Sequence, residues 1–361
     1  MANDAGAWSV RDLRPVLAEY GLDIQGVAPV RKAWRIETEA GPRFLKMSTL
    51  TLPELSFVSA ALAHLRRQGG EAIPRLYPTY QGRLWVEQRG RRFTLTDWYE
   101  GRELDFESPL ELEAAILTLS RLHRWGEGFQ APPEGRLRVE WGRWPEKFGR
   151  RVTHFEWYRR EAEADGSRFA REYAALLPAY LHQAKWALEL LERSAYPKLS
   201  ATRLARPVIC HHDLSDRNFL VTGGAPEEAG KAAPACAPLR ARLVDFDYCL
   251  HDLRVHDLAN LIQRYTFMMG CDVSAAERAL ATYDRLNPLS RDELRLLVAL
   301  MAWPHRFWLL GWQRWQERLP WSEQRWLDAV EKRAEELAER ERFLSALAVD
   351  LGLGTRERRP G

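Results

Sequence analysis

The sequence predicts an α+β chain, with a small β-rich N-terminal lobe followed by a large, mainly helical C-terminal lobe. Three observations predict it. Short apolar runs separated by Gly and Pro crowd the region before Gly101. Beyond Gly101 apolar residues recur at helical spacing. Apolar side chains make up 46% and charged ones 29% of 361 residues, a balance that suits a folded chain with a sizeable core.

The elements follow in order. Residues 8–20 read as a short helix. AWRIET (33–38), a Gly-Pro turn at 39–42 and FLK (44–46) read as a β-hairpin. Pro53–Gln68 carries Leu55, Val58, Leu62 and Leu65 at near-helical spacing and stops at Gly69-Gly70. Residues 73–80, 83–88 and 93–98 are three further strand candidates. Leu112, Ala115, Ile116, Leu119 and Leu122 put one apolar face on a helix over 110–125. Residues 126–150, rich in Pro, Gly and Trp, read as loop, and 168–194 as a long helix. Residues 223–239 read as a surface insertion, Arg240–Phe246 as a strand, and 257–351 as helices. The expected domains are 1–97 and 98–350, with a flexible tail at 351–361.

Composition excludes several function classes. A net charge of +3 from 53 basic and 50 acidic side chains calls for neither a nucleic acid nor a membrane as partner. The longest apolar run, near 294–303, contains Arg295 and ends at Pro304, too broken to span a bilayer. The first residues lack a signal-peptide pattern, so a cytoplasmic protein is expected. The four Cys form no C-x-x-C pair, which argues against a zinc knuckle or thioredoxin-type site.

The segment CHHDLSDRNFLV (210–221) carries the chemistry: His211-x-Asp213, then Asn218, with LVDFDY and its Asp245 a strand later. Phosphoryl transfer is mainly positioning and charge neutralisation. It needs one carboxylate at the attacking hydroxyl and hard oxygen donors for magnesium. Asp213 fits the base or hydroxyl-orienting role, and Asn218 and Asp245 the metal ligands, in the pattern of a kinase catalytic loop. His211 is expected to brace the loop, and His212 and Asp247 are auxiliary candidates. Upstream, Lys46 ends the hairpin strand and could reach nucleotide phosphates, with Glu54 on the next helix as its expected partner. Asp97, Trp98 and Tyr99 fall where a hinge between lobes would meet adenine. The turn before AWRIET, GVAPVRKAW, has no G-x-G-x-x-G; Arg31 and Lys32 are its only candidate phosphate contacts.

These residues resemble a known family. H-x-D-x-x-x-x-N, LVDFD and His256-Asp257-Leu258-Ala259 are similar to the aminoglycoside phosphotransferase and choline kinase superfamily. RKAWRIETEAGPRFLK, TDWYEGRELDF and WPHRFWLLGW resemble its CotS-type spore coat proteins. The resemblance covers roughly residues 25–345. It implies a bilobal protein-kinase-like fold, ATP and Mg2+, a mother-cell location and a link to the spore coat and its other proteins. The reading is therefore transfer of the ATP γ-phosphate to a hydroxyl of a small molecule or sugar. The alternative is a weak or inactive kinase fold serving as a coat component. The pairs His212-Asp213, His251-Asp252 and His256-Asp257 also raise a metal-dependent phosphohydrolase. Asp213 in a loop rather than on a helix argues against it.

Overall fold

The computed structural model describes residues 8–135, 138–205, 208–223, 238–268 and 271–351. Apart from its first and last few residues, the insertion expected at 223–239 lies outside the described residues, as does the tail beyond Leu351. The contacts divide the chain into two units. One contains 1–105, 110–139 and 207–250, the other 106–109, 140–206 and 251–361.

The first unit opens with helix α1 (Val10–Ala18), closed by a Ser9–Asp12 capping box. Strands β1 (Ile24–Val30), β2 (Ala33–Thr38) and β3 (Arg43–Ser48) follow, then α2 (Leu52–Arg67), β4 (Leu76–Tyr77), β5 (Val86–Gln88) and β6 (Arg91–Asp97). They form one antiparallel sheet in the order β1-β2-β3-β6-β4, with β5 also on β6. The 33–46 hairpin and the 53–68 helix appear as expected. The stretch read only as a turn before AWRIET is β1. Its Pro29 is tolerated because β1 is an edge strand, and Arg31 takes the left-handed conformation that the tight turn requires, at φ 55°. Alternation along β2, β3 and β6 sends Trp34, Ile36, Leu45, Phe93 and Leu95 into a core shared with Leu13, Val16 and Leu17 of α1.

The same unit contains β7 (Arg102–Glu103), α3 (Pro109–Trp125), β8 (Ile209–Cys210), β9 (Phe219–Thr222) and β10 (Arg240–Leu243). β9 pairs with both β7 and β10. Thr118 of α3 donates to Ala241 O at 3.0 Å, and Leu243 N donates to Ala72 O at 3.3 Å. These bonds join residues 240–243 to α3 and to Ala72 within the same unit.

The second unit is helical: α4 (Trp144–Asp165), α5 (Arg168–Glu192), α6 (Tyr196–Ala205), α7 (Arg254–Met268), α8 (Val273–Asp284), α9 (Arg291–Ala302), α10 (His305–Gly311) and α11 (Glu323–Asp350). Its core is aromatic. Phe307 stacks on Tyr173 and Tyr180 with ring centroids 4.2 and 4.0 Å apart, and Trp326 and Tyr158 are fully buried. Six of the 15 Trp (Trp141, Trp144, Trp303, Trp308, Trp315 and Trp326) are buried in this unit. α4 begins inside the stretch expected as loop, because Pro145 near its start suits the first helical turn.

Candidate active site

The site grows from three segments of the first unit. Along β3, Leu45 is fully buried in the core, so the strand period turns Lys46 to the opposite face. The loop 211–218 follows β8 and closes in a 3-10 turn over Asp216–Asn218. Residues 244–248 follow β10 and contain a second 3-10 turn over Phe246–Tyr248.

Two contacts dock the loop on the end of β10. The His211 ring bridges them: its Nδ1 accepts from Asp213 N at 3.2 Å, and its Nε2 lies 3.0 Å from Val244 O. Accepting at Nδ1 leaves the proton on Nε2, which then donates to Val244 O. Val244 N in turn donates to Asn218 O at 2.9 Å. His211 thus takes the bracing role expected of it, fully buried and edge-on to Phe246 at 4.7 Å. The Asn218 amide donates to Asp213 O at 2.8 Å and to Asp213 Oδ2 at 2.9 Å. Using its nitrogen this way turns its carbonyl oxygen away from Asp213. His212 and Asp245 both adopt positive φ, 65° and 63°. Side chains with a Cβ pay for this conformation, and such outliers gather at functional sites.

Lys46 completes the group. Its Nζ donates to Asp245 Oδ1 at 2.7 Å and to Asp247 Oδ2 at 2.8 Å. Burial alone would lower the lysine pKa, but Asp247 and Asp245 outweigh it and hold it above its ordinary value. Burial likewise pushes the Asp245 carboxyl up, and Lys46, then His211, more than reverse this and hold it down. Arg138 Nη1 donates to Asp247 O at 2.6 Å.

The expected residues separate into two sets. Lys46, Asp213, Asn218, Asp245 and Asp247 come together. Glu54 does not appear as the partner of Lys46: its carboxylate accepts from Thr51 N and Thr51 Oγ1 at 3.1 and 2.8 Å, closing a capping box on α2. The side chains of 97–99 are engaged within the unit. Asp97 accepts from Arg75 N and Tyr77 Oη, each at 2.8 Å. Tyr99 Oη donates to Ile73 O at 2.9 Å, and Trp98 Nε1 to Glu100 at 2.8 Å. Adenine contacts at this segment would therefore fall to its backbone. Arg31 pairs with Glu103. Sequence reasoning missed Arg138, which lies in an irregular stretch with no periodicity to mark it.

The donor set suits a hard divalent cation. It offers the Asn218 carbonyl oxygen and the Asp245 carboxylate, with no sulfur among them. A half-buried lysine paired with Asp245 and Asp247, beside a loop that holds Asp213 and Asn218, is the kind of arrangement a kinase-type phosphotransfer protein requires. Residues 28–297 match the phosphotransferase enzyme family, and the chain belongs to that family. It is 22% identical over 340 residues to spore coat protein S of Bacillus subtilis strain 168, covering 92% of each chain. Its fold is similar to that of an aminoglycoside phosphotransferase from Alicyclobacillus acidocaldarius subsp. acidocaldarius. The TM-score is 0.78 at 20% identity, over 94% of this chain and 96% of that one. It is also similar to a spectinomycin phosphotransferase in complex with ADP and spectinomycin, with TM-score 0.58 and 16% identity over 96% and 98% of the two chains.

Proposed function

We propose that the protein transfers the γ-phosphate of ATP to a hydroxyl of a small molecule or sugar, with Mg2+, in association with the bacterial spore coat and from the mother-cell cytoplasm. The observation that carries the reading is the Lys46–Asp245 ion pair next to the Asp213–Asn218 loop, the two linked through the Val244 backbone. A bound magnesium nucleotide would supply the phosphoryl group and neutralise its charge. Asp245 and the Asn218 carbonyl oxygen are the cation ligands. Lys46 is the phosphate contact, shifting from its carboxylate partners to phosphate oxygens, with Glu54 as a further carboxylate partner in that state. Asp213, held by Asn218 and by His211 through its backbone, orients the acceptor hydroxyl and takes its proton. The 97–99 segment contacts adenine. The likeness to spore coat protein S supports the coat association, with other coat proteins as partners.

The test is ATP turnover against a panel of sugars, amino alcohols and cell extract, with Asp213→Asn as control. Turnover that the substitution abolishes is expected. A second reading, a kinase fold that binds nucleotide as a coat component without turnover, is favoured by the absence of a G-x-G-x-x-G turn before β2. Mg-ATP at about 100 times its Kd should stabilise the chain by about 2.7 kcal/mol under either reading. Stabilisation without turnover would select the second, and no stabilisation would exclude both.

A further inference from the structure

The first unit carries a groove that none of the candidate active-site residues lines. One wall is α2, where Ser59, Leu62, Ala63 and Arg66 follow the i, i+3, i+4, i+7 pattern and so share one face. The other wall runs from Arg75 into β4 and the loop after it, which brings Leu76 and Leu84. Both walls are tied down. Arg66 Nη1 donates to Ile73 O at 3.1 Å, holding the end of α2 to the residues before β4. Thr79 N donates to Arg83 O at 2.7 Å, closing the loop just before Leu84. The groove has a volume of about 400 Å³, the size of a small-molecule site. Leu62, Leu76 and Leu84 give it an apolar lining.

Its charged lining is cationic. Arg66, Arg67 and Arg75 line it, and none of the three has a carboxylate within ion-pair distance among the described residues. The segments that form the walls contain two acids, Glu54 and Glu71. Glu54 caps the first turn of α2, away from Arg66 and Arg67 in the last. Glu71 is exposed, and Arg66 meets its carbonyl at 3.3 Å rather than its carboxylate. On the neighbouring strands, Asp97 accepts from Arg75 N and Tyr77 Oη, and Glu87 pairs with Arg92. Arg43 and Arg242 add to the positive side, each 4.6 Å from a ring centroid, of Tyr77 and Tyr99 respectively. Five arginines thus stand against Asp97 and Glu71 along this edge. The dipole of α2 favours cations in its last turn and accounts for Arg66 and Arg67. It gives no reason for Arg75 across the groove. Ser59 is a second, independent sign of a ligand. It is 2% exposed, and its hydroxyl has no hydrogen-bond partner among the described residues. A buried hydroxyl left this way costs free energy until something bonds to it.

We propose that this groove binds a small anionic amphiphile, a carboxylate or phosphate monoester carried on an apolar body. Arg66, Arg67 and Arg75 grip the anion, the three leucines hold the body, and Ser59 supplies a further hydrogen bond. The site does not depend on the phosphotransfer reading. The experiment is isothermal titration calorimetry of the full chain with octanoate and octyl phosphate, each below the concentration at which it forms micelles. Octanol, acetate and inorganic phosphate are the controls. Saturable one-to-one binding of an octyl anion is expected, with the tighter of the two identifying the head group. Octanol lacks the charge, and acetate and phosphate lack the body, so each should bind about tenfold or more weakly. Arg67 and Arg75 are exposed, and the double variant Arg67→Ala/Arg75→Ala should weaken the octyl anion about tenfold or more while leaving octanol unchanged. Ala63→Trp should fill the groove and abolish binding of every probe. If the double variant does not fold, Ala63→Trp and the comparison with octanol decide. Octanol binding as tightly as the anions would leave only an apolar crevice and overturn the site. So would acetate or phosphate binding as tightly as the octyl anions, indifference to the substitutions, or displacement of the octyl anion by Mg-ATP. Capture by anionic lipid vesicles without saturable binding of the single amphiphile would make this edge a membrane face and also overturn it.

Discussion

Asp213 is positioned from both sides, by the His211 ring at its backbone N–H and by the Asn218 amide at its carboxylate. Asp213→Asn keeps the shape and removes the carboxylate, so under the proposed phosphotransfer turnover should fall by about 10²–10⁴ with an unchanged thermal midpoint. Lys46 gives a test by pH. The Asp245 pKa is held below 3.8, so its share of stability is present above that value and disappears as pH falls through the depressed one. The Lys46 pKa is held above 10.5, so its share is complete below that value and disappears only as pH rises through the elevated one. Lys46→Met removes the cation between two carboxylates. The gap in urea midpoint between wild type and variant should be flat from about pH 5 to 8 and narrow in more acid solution. A gap that widens with acid would contradict the ion pair.

At the scale of elements, β7 and β9 meet closely at Gly101. Its φ is 150°, and a Cβ there would stand 2.9 Å from Val221 O. Gly101→Ala should destabilise the first unit by about 1–3 kcal/mol, read from denaturant midpoints. The periodic elements were legible in sequence: α2 from its apolar spacing, and the β2–β3 hairpin from its Gly-Pro turn. β1 was not, since Gly26 and Pro29 argue against a strand until the sheet leaves it at an edge. Nor was α4, whose many charges hide its buried Trp144, Phe148, Phe155 and Tyr158. Propensity is weak there, and packing on α5 decides.

At the scale of the whole molecule, the helical unit depends on buried ionic groups as well as aromatics. Arg254 of α7 and Glu293 of α9 are nearly inaccessible and meet at 2.7 Å, with Arg254 also donating to Pro288 O at 2.6 Å. Burial pushes the Glu293 carboxyl up, but Arg254 prevails and holds it down. Arg254→Met would strand that carboxylate, at a cost of about 3–5 kcal/mol. Calorimetry should show a lower unfolding temperature, and no change would mean water reaches Glu293. Among the described residues no helix is long and apolar enough to cross a membrane.

The linear order of residues determined the fold class and singled out Lys46, Asp213, Asn218 and Asp245 as candidates, because helix and strand periods and the residue types that phosphotransfer needs are local patterns. Tertiary structure decided the pairing. It gave Lys46 to Asp245 and Asp247, kept Glu54 for the end of its own helix, and brought Arg138 to Asp247. Those choices turn on which polar groups lie within a few ångströms after burial, and a chain carries that information only once its sheets and helices have packed.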